Sequence, residues 1–365
     1  MVATDTIQLT DEQEAAVEYC TRGDKEVVRM GGLAGTGKSV CVEEMRRRLP
    51  GYGVCAYTGK AANVLRRKGV HDASTIHSII YKPHDEGGGQ VSWELRQPHE
   101  LFLDGFIVDE ASMVSEDIHR DLLTFGVPLV YVGDHGQLEP VNAGSSVEPF
   151  CLMRDPDVAL ETIHRNAGEI ARFAGWLRAG NDAADWHEGG GQVLVITGEE
   201  LRTSGMERAD QIVCAFNKTR VALNNSIREC LGLPRMKPVE GDRIICLQND
   251  REQRLFNGMQ GKVTKIDYGT KRLWFEDEDG TEYQAIRFNP MAFGEEKTPK
   301  RVPGQVPFDW SYCVTCHKMQ GSEADDVVVL EQRCDRLWSH QRWAYTAASR
   351  AKRRLTWVLP PPPPE

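Results

Sequence analysis

The chain has 365 residues, a formal net charge of −10, 40% hydrophobic and 27% charged residues. That composition belongs to a globular protein of about two domains and excludes disorder, a collagen-like repeat or a coiled coil for most of its length. The acidic total excludes a protein that coats nucleic acid through bulk basic charge, no apolar run approaches the roughly 20 residues of a bilayer span, and the opening MVATDTIQLTDEQ lacks a secretion signal, so the expected location is the cytoplasm, or a host's cytoplasm for a phage gene.

In chain order, short β-rich runs alternate with helical stretches. Strands are predicted at Glu26 to Met30, Gly53 to Tyr57, Phe106 to Val108 and Leu129 to Val132, then at Ile212 to Ala215, Val327 to Leu330 and Leu355 to Leu359. Runs this short between Gly and polar residues fit strands buried on both faces of parallel sheets. Two α/β layers are therefore expected, splitting near residues 150–160. Tyr81 to Pro98, with Gly87-Gly88-Gly89 at its centre, reads as a hairpin or loop inserted in the first. From 236 to 307 the texture changes to GDRIICL, GKVTKIDYG, RLWFEDEDG and TEYQAIRF, antiparallel strands with tight turns that read as a small β-barrel inserted in the second. The expected boundaries are 1–155 for the first domain, 156–235 plus 308–359 for the second, and 360–365 for a Pro-rich tail that cannot extend a helix or central strand.

Charge is uneven along this plan. Lys60, Arg66, Arg67 and Lys68 make a local +4, and Arg342 to Arg354 carries five basic residues and no acid. Exposed charges are screened beyond about 8–10 Å at physiological salt, so such patches matter more to a bound polymer than the total. The ten cysteines sit in a chain with no secretion signal and are expected reduced. Cys313-Val-Thr-Cys316 has no second pair at metal spacing, and a strand there would put Cys316 and His317 on opposite faces, so ordinary strand cysteines are the favoured reading.

Gly32-Leu-Ala-Gly35-Thr36-Gly37-Lys38-Ser39 fits G-x-x-x-x-G-K-[ST] in full. It follows the strand ending at Met30 and opens the helical stretch Val40 to Leu49, which Pro50-Gly51 stops. In that context glycines let backbone N–H groups converge on phosphate oxygens, Lys38 meets the β/γ-phosphates of ATP, and Ser39 ligates Mg²⁺. Phe106-Ile-Val-Asp109-Glu110 is a buried strand ending in two acids. Asp109 is placed to hold Mg²⁺ and Glu110 to orient and deprotonate the attacking water, although either acid alone is also a plausible helix cap. Gln13 has two readings: Thr10-Asp-Glu-Gln13 is a capping box, and a Gln amide can also pair with an adenine edge.

Eight ordered blocks then carry a family resemblance: LTDEQ (9–13), GGLAGTGKS (31–39), AYTGKAA (56–62), STIHSI (74–79), IVDEASMV (107–114), VGDHGQLEPV (132–141), YCVTCHKMQGSE (312–323) and YTAASRAK (345–352). Together they resemble superfamily-1 helicases, most closely the RecD-like and Dda-like 5′-to-3′ subclass, over nearly the whole chain. The resemblance implies two RecA-like P-loop domains in tandem, with ATP in the cleft between them and Gln13 on the adenine. It implies that Gln137 senses the γ-phosphate, that Arg350 and Arg165 (in LETIHRN, where a surface arginine is the alternative) reach it from the second domain, and that Gly321 and Glu323 lie on the nucleotide side, Glu323 toward the ribose. It also implies a DNA track through Thr58, Gly59, Lys60, Thr75, His77, Thr315, His317 and Lys318. Glu139, Met319 and Ser349 depart from the family pattern without removing a catalytic group.

The implied activity is an ATP-dependent DNA helicase acting as a monomer on single-stranded and tailed duplex DNA, with no membrane partner. Trp93 in the short hairpin insert reads either as a packing residue or as an aromatic wedge at the duplex junction. A translocase with weak unwinding, and a nucleotide-controlled P-loop switch, are the competing readings.

Overall fold

The computed structural model describes residues 8–85, 91–139, 150–162, 168–204, 206, 209–235, 237–250, 253–278, 280–297, 299–300, 302–333 and 338–361. The chain divides into two compact units, 1–167 and 168–365.

Unit 1 contains, in order, α1 (Asp11–Thr21), β1 (Val27–Gly32), α2 (Lys38–Arg48), β2 (Tyr52–Ala56), α3 (Gly59–Arg67), β3 (Ser74–Thr75), α4 (Ile76–Ile80), β4 (Tyr81–Asp85), β5 (Val91–Leu95), β6 (Gly105–Asp109), α5 (Glu116–Leu123), β7 (Leu129–Gly133) and β8 (Val158–Leu160). Its main sheet has the order β3-β2-β6-β7-β1-β8, and every recorded pair within it is parallel. Alternation along the strands explains why the runs look uniformly apolar. Ile107, Val130 and Val132 enter a core with Val17, Met45 and Leu65, whereas Phe106, Val108, Leu129 and Tyr131 enter another with Ile118 and Leu122. Both faces are covered, as a parallel sheet requires.

The division falls after Ala167 instead of near 155 because β8 pairs with β1 through Met30↔Val158, Gly31↔Ala159 and Gly32↔Leu160, which makes it a sixth strand of the first sheet. β4 and β5 form a separate antiparallel ribbon with Pro83 opposite Trp93. The Tyr81 hydroxyl donates to Asp121 of α5, and Lys82 Nζ lies 3.0 Å from Glu100 Oε1, so the ribbon is braced at its base from two directions.

Unit 2 contains α6 (Glu169–Arg178), β9 (Val193–Ile196), α7 (Gly198–Ser204), β10 (Gln211–Cys214), α8 (Asn217–Cys230), β11 (Arg243–Cys246), β12 (Gln260–Asp267), β13 (Arg272–Asp277), β14 (Glu282–Asn289), β15 (Val306–Trp310), β16 (Cys313–Thr315), α9 (Cys316–Met319), β17 (Ala324–Leu330), α10 (His340–Ala348) and β18 (Ala351–Val358). A parallel sheet runs β16-β10-β17-β18-β9, and β11 to β15 close into a barrel. The closing strand continues to Trp310, beyond the expected edge of the insert at 307, because Trp310 pairs with Ile244 and packs on Phe293 at 4.4 Å between ring centroids.

α8 ties barrel and sheet together. The Arg228 guanidinium donates from Nη1 to both Asp242 oxygens at 2.7 and 2.8 Å and lies 3.5 Å over the Trp310 ring, while Asn224 bonds the backbone of Cys313 in both directions. The Arg228–Asp242 pair is fully buried. Deleting one partner would strand the other charge, a loss of about 3–5 kcal/mol, whereas the exposed Arg120–Glu116 pair is worth about 0–1. No helix among the described residues is long and apolar enough to cross a membrane. Of the Pro-rich tail, 362–365 lie outside the described residues.

Candidate nucleotide site and nucleic-acid track

The order of the first sheet lines up its motifs. All its strands run the same way, so their carboxyl ends form one row: Thr75 ends β3, Thr58 follows β2, Asp109 and Glu110 end β6, Gln137 follows β7, the P-loop follows β1, and Glu161 follows β8. Register keeps the row level, with Ala56 beside both Thr75 and Asp109, and Gly31 beside Gly133. At about 4.8 Å per strand, β2 and β1 stand roughly 14 Å apart.

The P-loop turns through Gly35 and Gly37, each at φ +86, a conformation that glycine adopts without the Cβ penalty. Gly37 caps α2, whose first residues are Lys38 and Ser39. Lys38 Nζ donates to the carbonyls of Gly32 and Leu33 at 2.9 and 3.0 Å, and Thr36 Oγ1 donates to Leu33 O. A Cβ on Gly32 would sit 2.7 Å from Thr36 Oγ1, so the loop closes on itself too tightly for any side chain there. The capping box predicted at Thr10 forms: Gln13 N donates to Thr10 Oγ1, and Thr10 N to Gln13 Oε1 at 3.1 Å. The other end of the same amide, Nε2, donates to Thr36 O at 3.0 Å. Gln13 is thus a buried bridge from α1 to the nucleotide loop, a contact that the capping reading does not supply.

Asp109 is buried, and burial raises its carboxyl above the usual carboxylate range, opposed by the Glu110 N–H at 2.9 Å and by the charges of Lys38 and Lys68. One oxygen accepts that N–H, which leaves the carboxylate with acceptor capacity for a hard cation, and the Ser39 hydroxyl in the first turn of α2 is a second oxygen donor. This is the all-oxygen donor chemistry that Mg²⁺ takes. Glu110 sits at φ +53, a left-handed conformation costing on the order of 1–3 kcal/mol for a non-glycine residue. Strain at the carboxyl end of a central strand is where a reacting group is expected. Gln137 is buried, and its Nε2 lies 3.3 Å from Asp134 Oδ2, while Asp134 Oδ1 accepts from Gly136 N at 2.9 Å. Asp134 was missed from the sequence. An Asp two residues before Gly is the signature of an Asx turn, and that would have found it.

The DNA-track candidates in unit 1 stand at helix starts. Thr58 caps α3 by accepting from Ala61 N, and Gly59 and Lys60 open that helix. Thr75 caps α4 with Ser78 in a capping box, and His77 is exposed, its ring 5.4 Å from Tyr81 and edge-on to Tyr57. Trp93 is 51% exposed on the ribbon.

In unit 2, Cys316 and His317 lie in the single turn α9 and not on a strand, since Thr315 ends β16 and stands at the N-cap position of the turn. Thr315 is buried. His317 is half-buried edge-on against Trp338 at 5.5 Å, and its Nε2 is buried without a partner. Burial lowers the His317 imidazole, and burial together with the Arg220 charge lowers the Lys318 ammonium. Gly321 is at φ +72, and Glu323 lies 3.9 Å from Lys352. Arg350 is buried, and its guanidinium is fixed by Thr346 O at 2.9 Å, Ser349 Oγ at 2.8 Å and Ser322 O at 3.2 Å. Arg165 lies outside the described residues. Among the described residues no cluster of His, Cys, Asp or Glu has the makings of a metal site.

A family model of the AAA domain matches residues 8–198, and one of the UvrD-like helicase C-terminal domain matches residues 311–358. The conjugal transfer protein TraA of Rhizobium radiobacter is 27% identical over 365 aligned residues, covering 88% of this chain and 30% of TraA. The ATP-dependent RecD2 DNA helicase of Deinococcus radiodurans is 26% identical, covering 94% of this chain and 48% of RecD2. The chain therefore spans half or less of the length of these relatives. The crystal structure of a Pif1 helicase from Bacteroides in complex with ADP-AlF3 and ssDNA shares the fold, with a TM-score of 0.64 and 19% identity over 97% of this chain and 95% of that one. With the AAA-domain model matching just over half its length, the chain belongs to the AAA-domain family, and its residues 311–358 match the UvrD-like helicase C-terminal domain model, in keeping with its resemblance to superfamily-1 helicases.

Proposed function

We propose that the protein is an ATP-dependent DNA helicase that moves 5′-to-3′ on single-stranded DNA and unwinds tailed duplex, built on two RecA-like domains and acting as a monomer. The observation that carries this reading is the single row of strand ends in the first sheet. It sets the P-loop, Gln137, Asp109 and Glu110 beside Thr58 and Thr75 on one edge. A switch that answers only to nucleotide has no use for the second half of that row.

Ser39 and Asp109 would hold Mg²⁺, which would supply charge neutralisation at the phosphates. Lys38 exchanges its bonds to the Gly32 and Leu33 carbonyls for phosphate oxygens. Gln13 meets the adenine with the amide capacity left over from Thr10 and Thr36. Glu110 orients the attacking water and takes its proton, Gln137 senses the γ-phosphate, and Arg350 and Arg165 donate to the charge spreading over the γ-phosphoryl oxygens. Gly321 and Glu323 line the nucleotide from the second domain. Thr58, Gly59, Lys60 and Thr75 donate to DNA phosphates, Thr315 and Lys318 do so from the second domain, and His77 and His317 stack on bases.

Unwinding of 5′-tailed, 3′-tailed and blunt duplexes tests the reading. Displacement restricted to the 5′-tailed substrate is expected, and preference for the 3′ tail overturns the polarity. Trp93→Ala separates helicase from translocase: as a wedge it depresses unwinding far more than DNA-stimulated ATPase. Equal losses in both assays remove the wedge.

A further inference from the structure

The first turn of α1 holds two parts of unit 1 at once. Gln13 donates to Thr36 O of the P-loop at 3.0 Å. Its neighbour Glu12 points elsewhere, since successive helical side chains diverge by about 100°. The Glu12 carboxylate accepts from the backbone N–H of Glu161 at 2.6 Å, and from that of Thr162 at 3.3 Å on the same oxygen and 3.2 Å on the other. These two residues directly follow β8, the last strand of unit 1, and the chain runs on from them to Gly168 of unit 2. β8 itself lies against the nucleotide loop, with Leu160 in register with Gly32 and its Cβ 3.3 Å from where a Cβ on Gly32 would stand.

We infer that Glu12 is a positioning residue, clamping the connector that leaves unit 1 to the same helical turn that grips the P-loop. Residues 160–162 are thereby fixed relative to the nucleotide loop, and any change of geometry that begins at the loop is passed through one rigid turn to the start of the connector. The inference rests on the proposed DNA-stimulated ATPase for its kinetic consequence, but not for the clamp itself. A carboxylate is suited to the task because it accepts two adjacent N–H groups at once, in charge-assisted bonds stronger than those of a neutral acceptor.

The test uses the full chain, with Glu12→Ala and, should that variant fold poorly, Glu12→Gln. Amide hydrogen exchange at Glu161 and Thr162 is expected to quicken on the order of 10-fold or more in Glu12→Ala, with the melting temperature little changed and a smaller effect in Glu12→Gln. The kcat of single-strand-stimulated ATP hydrolysis should fall about fivefold or more while KM for ATP stays within about twofold, a split that a loss of nucleotide binding would not give. Unchanged exchange overturns the clamp. Faster exchange with unchanged kcat, or with a raised KM alone, overturns the positioning role. A wild-type chain without DNA-stimulated ATPase sinks the functional reading instead, and the exchange result still decides the clamp.

Discussion

The two units carry their motifs on differently oriented edges. In unit 1 the nucleotide loop, the acidic pair and the candidate DNA grips all follow the carboxyl ends of neighbouring parallel strands. In unit 2 they separate. Thr315, His317 and Lys318 follow the carboxyl end of β16, whereas Glu323 and Arg350 precede β17 and β18, which start side by side at Ala324↔Ala351. β17 has seven residues, so the two edges are about 20 Å apart, and α9 with the turn through Gly321 spans them. On the proposed roles, DNA and nucleotide candidates are neighbours across strands in unit 1, whereas in unit 2 they are joined along the chain from Thr315 to Glu323.

The largest effect should come from the shared edge. Glu110→Gln removes a base while leaving Asp109 for Mg²⁺. ATP and DNA binding should persist while turnover falls by two or more orders of magnitude, about the 10²–10⁴-fold worth of general acid–base catalysis. Lys38→Ala should abolish ATPase and unwinding together. Near wild-type turnover in Glu110→Gln, measured by phosphate release, would take the water-activating role away from this edge.

The two grips come next. His77 is exposed and His317 half-buried, yet both are candidates for stacking, worth about 1–3 kcal/mol per base or on the order of 5- to 150-fold in affinity. His77→Ala and His317→Ala should each weaken single-strand binding in that range, measured by fluorescence anisotropy, while DNA-free ATPase persists. If only His77→Ala does so, the unit 2 edge is not a DNA edge and the comparison collapses to one grip.

How much of this was legible depends on how local the chemistry is. The placement of the P-loop and of Asp109-Glu110 after strands could be read because each motif is contiguous and marks the element beside it. β8 has only three residues, and its membership of the first sheet rests on pairing with a strand about 130 positions earlier, so the domain edge was misread. Glu12 hid for the same reason, since its partners lie 149 and 150 positions away. The α9 turn was not legible, because it is only four residues long and directly follows β16, and Thr315 at its start makes no side-chain capping bond. Ser349 was legible only as a departure from the family, and the structure gives it work.

Ser349 Oγ donates to Thr346 O at 2.9 Å and accepts from Arg350 Nη2 at 2.8 Å, at the carboxyl end of α10. Three acceptors fix the guanidinium and use three of its five N–H groups, leaving two for the phosphate contact proposed for Arg350. Ser349→Ala should therefore lower kcat about tenfold, the worth of one hydrogen bond to a charged group, with KM for ATP nearly unchanged. Ser349→Thr should restore it. A change in KM alone would mean that the nucleotide edge of unit 2 is organised around binding and not around the reacting phosphate.

The smallest expected effect is a pH response, and its sign distinguishes stacking from ionic contact. Desolvation lowers both His77, whose ring lies against Tyr57 and Tyr81 although the residue as a whole is exposed, and the half-buried His317 below the ordinary imidazole value of 6.5. Both rings are therefore mostly neutral from pH 7 to 8 in the folded protein. The unfolded chain takes up these protons first. The stability contributed by the neutral rings is therefore complete above pH 6.5 and is lost as pH falls through the lowered folded values. Stacked neutral rings predict single-strand affinity that changes less than about twofold between pH 7 and 8 at fixed salt. They also predict that His317→Ala leaves the salt dependence of binding intact, because no phosphate charge is neutralised. An imidazolium on phosphate predicts the opposite: tighter binding on acidification and a salt slope reduced by about 0.7 in the variant. Lys318→Met is the internal standard, since a lysine on phosphate should shed that slope whichever way the histidines act.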